Sequence, residues 1–270
     1  MPELPEVETT VAGLRPVLEG QRLALVEPRR ADLRRPIPVD LRQRLTGSVV
    51  TSLGRRAKYG LIETDRGDVM IFHLGMSGRW RIDPAELEKH DHLLLETETG
   101  RRLVLNDPRR FGSLDIVLLS DIEKYPPFAT MGPEPLGDDF TGNYLKAVTR
   151  DRKAPIKQLL LDQKIVAGLG NIYVCEALHM AGISPRQKGG AISKPRYERL
   201  VLAIKQVLTA AIAAGGSTLR DFARPDGELG YFAKDWLVYG REGEPCHCGA
   251  LVQRRVDSGR STFYCSRCQK

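Results

Sequence analysis

Apolar residues after Pro5 recur as Val7, Val11, Leu14 and Leu18, the spacing of one helical face, with Glu6 and Glu8 in the first turn where they complement the helix dipole. The pattern predicts an amphipathic helix near the chain start. From Val49 to Leu119 the rhythm shortens to strand-like runs. These are Ser48 to Leu53, Gly60 to Glu63, Val69 to Phe72, Arg79 to Ile82, His92 to Glu96, Leu103 to Leu105 and Leu114 to Leu119, separated by Gly, Asp and Pro. So many short strands predict an antiparallel β-sandwich with flanking helices. Tyr125 to Gly137 then holds four prolines and two glycines in thirteen residues, the composition of a linker. Helical spacing returns at Tyr144 to Val148, Pro155 to Asp162 and Ile172 to Met180. A long helix follows with Leu200, Val201, Ile204, Val207, Leu208, Ala211 and Ile212 on one face, stopped by Gly215 and Gly216. The class expected is α+β, divided as 1–125, a linker at 126–137, a helical domain at 138–235 and a small terminal piece at 236–270.

Composition agrees with a globular chain: 270 residues, 41% hydrophobic and 28% charged, with no apolar stretch near the ~20 residues of a membrane helix. The net charge of +7 is unevenly placed. Residues 1–150 hold 22 basic and 23 acidic side chains, residues 151–270 hold 19 and 11, so the surplus lies in the C-terminal part. Clustered Lys and Arg gain affinity for a polyanion by releasing its counterions, although the same count also serves plain solubility. The start, Met1 to Glu8, has no basic leader or apolar core, so a cytoplasmic location is expected. In a reducing compartment the four cysteines crowded between 246 and 268 read as a metal site rather than disulfides. Cys175, alone in a helical stretch, reads as a core thiol.

Cys246-His247-Cys248, sixteen residues, then Cys265-Ser266-Arg267-Cys268 brackets two short strands within Leu251 to Tyr264, joined by Asp257-Ser258-Gly259. Four thiolates around a hairpin make a closed tetrahedral zinc site that folds a piece too small to hold itself. The first pair has one intervening residue where two are expected, which leaves open a part for His247, or cysteines that stay reduced and metal-free. At the other end, removal of Met1 would expose the secondary amine of Pro2. A terminal amine titrates near ~8, far below Lys, and is a usable nucleophile for a carbonyl or a sugar carbon. Glu3 and Glu6 beside it can move protons, and the same three residues also serve as an ordinary helix start.

Pro2-Glu3-Leu4-Pro5-Glu6-Val7-Glu8, Arg55 to Tyr59, His73 to Gly78, Lys89 to His92, Asn106 to Gly112, Gly168 to Tyr173 and the cysteine hairpin follow one another in a single order. Together they resemble formamidopyrimidine-DNA glycosylases, bacterial base-excision enzymes for oxidised purines, over essentially the whole chain. Leu4 favours this branch over the related endonuclease VIII branch. The resemblance implies a C-terminal helix-two-turn-helix domain ending in a zinc β-hairpin. It implies that Pro2 attacks C1′ of the damaged nucleotide, that Glu3 handles protons, and that a Schiff base permits β- and δ-elimination. Lys58, expected on a strand after two arginines, would lie near the lesion and its phosphate. Arg260, at the hairpin tip, would assist elimination.

A glycosylase must extrude its base and fill the gap. Met76, Arg109 and Phe111 match the filling residues of the family; His73 and His90 would contact the DNA backbone, and Arg152, Lys153 and Lys157 would supply positive charge for DNA binding. Asn171 is expected to cap a helix at a tight turn whose N–H groups hold a phosphate. Thr218 to Phe232 is expected to close over the flipped base. The resemblance thus implies one structural zinc held by Cys246, Cys248, Cys265 and Cys268, duplex DNA with oxidised purines as partner across a basic cleft between the domains, no membrane, and a monomer. The rivals are a pyrimidine-preferring relative and a zinc protein that binds damaged DNA without cutting it.

Overall fold

The computed structural model describes residues 2–217 and 236–270, which form two compact units. The first takes the chain up to Ala129 together with 214–217, and the second takes Thr130–Ala213 and the C-terminal segment. The loop expected over Thr218 to Phe232 lies outside the described residues.

In the first unit, helix α1 (Leu4–Leu18) leads into β1 (Leu23–Pro28), α2 (Leu41–Leu45), β2 (Val50–Arg56), β3 (Tyr59–Thr64), β4 (Asp68–His73), β5 (Arg79–Ile82), β6 (Asp91–Thr97), β7 (Arg102–Asn106), β8 (Ser113–Leu118) and α3 (Pro126–Ala129). The strands form two four-stranded antiparallel sheets, ordered β1-β6-β7-β5 and β2-β3-β4-β8. One apolar core joins them, and α1 contributes Val7, Val11, Leu14 and Leu18, all fully buried. Each such side chain is worth about 2 kcal/mol of transfer free energy as an upper figure, more than enough to outweigh the weak helix propensity of α1's β-branched residues.

The expected strands are all present. β1 has no counterpart among them because Leu-Ala-Leu-Val-Glu-Pro carries no strict alternation; its pairing with β6, not its own pattern, makes it a strand. β2 runs on to Arg56 because the ladder to β3 carries Arg55 and Arg56 into the hairpin. The first residues of the Pro-rich stretch are ordered too. Tyr125 is buried against Val69 and Ile71, and Phe128 of α3 stacks edge-on to it at 4.9 Å.

The second unit contains α4 (Gly142–Val148), α5 (Ile156–Leu161), α6 (Asn171–Met180), α7 (Lys194–Ala213), and the hairpin β9 (Gln253–Asp257) and β10 (Arg260–Tyr264). α5 and α6 are joined by two turns that Gln163 staples. Its Oε1 accepts the Gly168 N–H at 2.8 Å, and its Nε2 donates to Leu161 O and Leu169 O. Ser258 (φ 49°) and Gly259 (φ 75°) lie in the left-handed region, as a two-residue hairpin turn matched to strand twist requires. A cluster of Cys175, Val238, Val252 and Phe263 supports the hairpin from α6, so Cys175 is a core thiol as expected.

Candidate active site, nucleic-acid surfaces and metal centre

The chain start is held by reciprocal hydrogen bonds. Glu3 is the N-cap of α1: its side chain accepts the Glu6 N–H, while its own N–H donates to Glu6 Oε2 at 2.8 Å. Glu6 Oε1 also accepts the N–H and hydroxyl of Ser217, at 2.8 and 2.9 Å. Both carboxylates are buried, and Pro2 is buried with them. Lys58, buried as well, departs from its expected place on a strand. With Ala57 (φ 53°) it makes the two-residue turn between β2 and β3. Arg55 ties that turn to α1, pairing with Glu8 at 2.7 Å and donating to Ala57 O at 2.9 Å.

His73 ends β4, and its Nδ1 accepts the Gly75 N–H at 3.0 Å. Burial, helped by the charges of Lys58, Arg34 and Arg35, lowers its pKa to about 4. The ring is therefore neutral at pH 7 with its proton on Nε2. It lines a cavity of about 550 Å³ with Met76, Arg109 and Phe111. Phe111 is 42% exposed and Arg109 stacks 4.8 Å over its ring, so neither serves as core packing. Asp107, to which the sequence pattern alone assigns no role, organises these loops from a buried position. Its carboxylate accepts from Ser77 Oγ at 2.7 Å and Gly112 N–H at 2.8 Å, and its backbone carbonyl meets His92 Nε2 at 2.9 Å. Gly75 (φ 62°) sits so close to Phe111 that a Cβ would lie 2.3 Å from its backbone. His90 is half-buried beside His92, and its carbonyl accepts the Asp107 N–H.

In the second unit, Arg152 and Arg260 are exposed and line a cavity of about 900 Å³ with Lys153, Arg186, Lys188 and Arg255. Such a concentration of cations suits a polyanion. Lys157 lines it too but is 3% exposed, and its Nζ donates to Ser261 O at 3.1 Å and Thr262 Oγ1 at 2.7 Å; burial lowers its pKa. Asn171 does not cap α6: Gly170 is the N-cap, and Asn171 Nδ2 instead donates to the same Ser261 carbonyl at 2.8 Å. Nor is the Gly168 N–H of that turn open to a phosphate, since Gln163 takes it. Lys157 and Asn171 together grip the hairpin one residue from Arg260.

The four sulfurs of Cys246, Cys248, Cys265 and Cys268 lie within 4.8 Å of one another, with Cys246 to Cys268 at 3.8 Å and Cys248 to Cys265 at 3.5 Å. A tetrahedral zinc with bonds of about 2.3 Å needs sulfurs about 3.8 Å apart, so the donor set fits one ion despite the short first pair. The Ala250 N–H lowers the Cys248 thiol, while burial raises Cys246 and the hydrogen bond with Cys248 raises Cys268. Two residues that no sequence motif singles out crowd this end of α6. Glu176, buried, accepts the N–H groups of Leu237, Val238 and Tyr239, and His179 lies against Cys246.

These features define a class: a two-sheet N-terminal unit with a buried chain start, and a helix-two-turn-helix unit bearing a basic surface and a four-cysteine zinc finger. Family models match in the same order, the formamidopyrimidine-DNA glycosylase N-terminal domain over residues 1–114, its H2TH domain over 131–223, and the zinc finger found in Fpg and isoleucyl-tRNA synthetase over 243–270. The chain belongs to the formamidopyrimidine-DNA glycosylase family. It is 71% identical to the formamidopyrimidine-DNA glycosylase of Rhizorhabdus wittichii and 65% to that of Sphingopyxis alaskensis, with both chains covered entirely in each case. It also matches a Lactococcus lactis Fpg mutant solved with Fapy-dG-containing DNA (TM-score 0.92, 34% identity, both chains fully covered). The MutM (Fpg) protein of Thermus thermophilus gives a TM-score of 0.89 at 39% identity, covering 99% of this chain and 98% of that one.

Proposed function

We propose that the protein excises oxidised purines, 8-oxoguanine and formamidopyrimidines, from duplex DNA and cleaves the strand at the resulting abasic site. The observation that carries this reading is the buried chain start. Glu3 and Glu6 exchange hydrogen bonds across the first turn of α1, and the buried Pro2 directly precedes this pair of buried carboxylates.

With Met1 removed, the Pro2 nitrogen offers its lone pair to C1′. The base leaves with the glycosidic electron pair as it is protonated, and the sugar ring opens to an iminium on Pro2. Glu3 takes and returns protons at the sugar. Loss of a C2′ proton then expels the 3′ phosphate, and a second elimination expels the 5′ phosphate. Lys58 holds charge near the lesion, and Arg260 steadies a phosphate from the hairpin tip. Met76, Arg109 and Phe111 fill the gap left by the base. The exposure of Phe111 and its stacking with Arg109 suit an insertion pair. His73 and His90 contact the backbone, His73 as a neutral N–H donor, and Arg152 adds charge.

Zinc, held by Cys246, Cys248, Cys265 and Cys268, cross-links the hairpin and supplies no chemistry to the reaction. Lys157 and Asn171 belong to the DNA-binding surface through the hairpin they hold. By function the chain divides into 1–125 as catalytic domain, 126–137 as linker, 138–235 as helical domain and 236–270 as finger, although α3 and residues 214–217 pack with the first unit. The protein works as a monomer in the cytoplasm at the nucleoid, where thiolates stay reduced.

Borohydride trapping on a duplex carrying 8-oxoguanine opposite cytosine tests the reading. A covalent adduct that maps to Pro2 is expected, and Glu3→Gln should slow excision by about 10²- to 10⁴-fold. Binding without adduct or nicked strand would leave a protein that only recognises damage. Preference for thymine glycol would move it to the pyrimidine branch.

A further inference from the structure

Two histidines crowd the zinc site that the cysteine spacing does not account for. His179, near the end of α6, is 4% exposed, and its Nε2 lies 3.3 Å from Cys246 Sγ. Ligand atoms of His179, Cys246, His247 and Cys268 fall within 4.8 Å of one another, as do those of the four cysteines. Zinc takes four ligands, so six candidates must divide into ligands and supports.

The geometry sorts them. The four sulfurs complete the tetrahedral set without help from either ring. His179 Nδ1 is buried and has no hydrogen-bond partner among the described residues. A metal-bound imidazole carries its proton on the other nitrogen and hands it to an acceptor, which Nδ1 lacks here. An imidazole protonated on Nε2 leaves only a lone pair at Nδ1, and an unmet acceptor is better tolerated than an unmet donor. The proton therefore belongs on Nε2, aimed at Cys246. Four thiolates on one Zn²⁺ leave two negative charges, and Cys246 and Cys265 are 4% and 0% exposed, so an N–H beside them offsets a buried charge.

We propose that His179 is a positioning residue of the zinc centre, donating its Nε2–H to the Cys246 thiolate and tying α6 to the finger. α6 then grips the finger region at three levels. Asn171 holds the Ser261 carbonyl, Glu176 holds the N–H groups of residues 237–239, and His179 holds a zinc ligand. The exposed His247, its ring 5.4 Å from that of His179, has Nδ1 3.5 Å from Cys246 Sγ and Nε2 3.8 Å from Cys268 Sγ, and it is not needed as a ligand because the four sulfurs already complete the set.

The test uses zinc-loaded full-length protein. His179→Phe keeps an aromatic ring against His247 and removes the donor; His179→Gln returns an N–H. Zinc transfer to a chromogenic chelator should be about 10- to 100-fold faster from His179→Phe, with His179→Gln restoring much of the retention. In cobalt-substituted protein, both wild type and variants should keep the ligand-field bands of four thiolates, while the sulfur-to-cobalt charge-transfer band moves in His179→Phe. Wild-type release from His179→Phe, or His179→Gln behaving like His179→Phe, overturns the proposal. A wild-type cobalt spectrum of three sulfurs and one nitrogen that changes in His179→Phe also overturns it, because His179 would then be a ligand. A wild-type protein that takes up no metal would overturn the zinc centre itself.

Discussion

At the scale of single residues, the environment alters the ordinary behaviour of several of the side chains assigned to the site. His73 is the clearest case. Burial lowers its pKa to about 4, where an exposed imidazole titrates near 6.5. Between those values the unfolded chain binds a proton that the folded chain refuses. This contribution to stability is therefore fully present above pH 6.5 and drains away as the pH falls towards 4. Urea melts at pH 7.5 and pH 5 should show a drop to which His73 contributes up to about 2 kcal/mol, so His73→Asn should shrink it by that amount while the buried His92 and His179, shifted the same way, keep the remainder. The His73 ring resonances should titrate below pH 5 in an NMR pH series; titration near 6.5 would contradict the burial. Lys157 shows the same lesson from the other side. Its sequence context advertises a phosphate ligand, yet its ammonium is spent on Ser261 and Thr262.

At the scale of elements, the loops at 74–78 and 107–112 act as one object. Asp107 bonds to Ser77 and Gly112, while Gly75 lets the two backbones touch. In Gly75→Ala, a left-handed φ and a Cβ placed 2.3 Å from the Phe111 backbone act together. The expected cost is about 2 to 3 kcal/mol, measured by denaturant melting, with excision abolished and zinc content retained. A variant of native stability and full activity would show that the loops move independently. The turn between β2 and β3 is a similar device, since Arg55 joins it to the helix that carries Glu3.

At the scale of the whole molecule, the metal centre and the basic surface belong to one structure in the C-terminal unit. The cavity lined by Arg152 and Arg260 is walled on one side by the hairpin, and the hairpin is held by zinc, Lys157 and Asn171. Removing zinc with a chelator should lower affinity for damaged duplex and flatten the dependence of log K on log salt by about 0.9 for each phosphate that the finger no longer neutralises. The far-ultraviolet signal of the helices should persist. Unchanged affinity and slope after metal removal would separate the finger from DNA binding.

Much of this was legible in the chain. Helical and alternating periodicities located α1, α4, α5, α7 and strands such as β3 because those elements each bury one face, and burial writes itself into local pattern. The order of short motifs identified the family because each motif needs particular residue types at fixed spacing, and the cysteine pairs announced zinc for the same reason. What local pattern does not carry is partnership across distance. β1 is a strand because β6 lies beside it, with Val26 set opposite Leu95. Asn171 and Lys157 turn to Ser261, and His179 turns to Cys246, over separations of 67 to 104 residues. Hydrogen bonds and ion pairs act over a few ångströms of space, so the sequence determined which groups were available and tertiary packing alone decided which of them met.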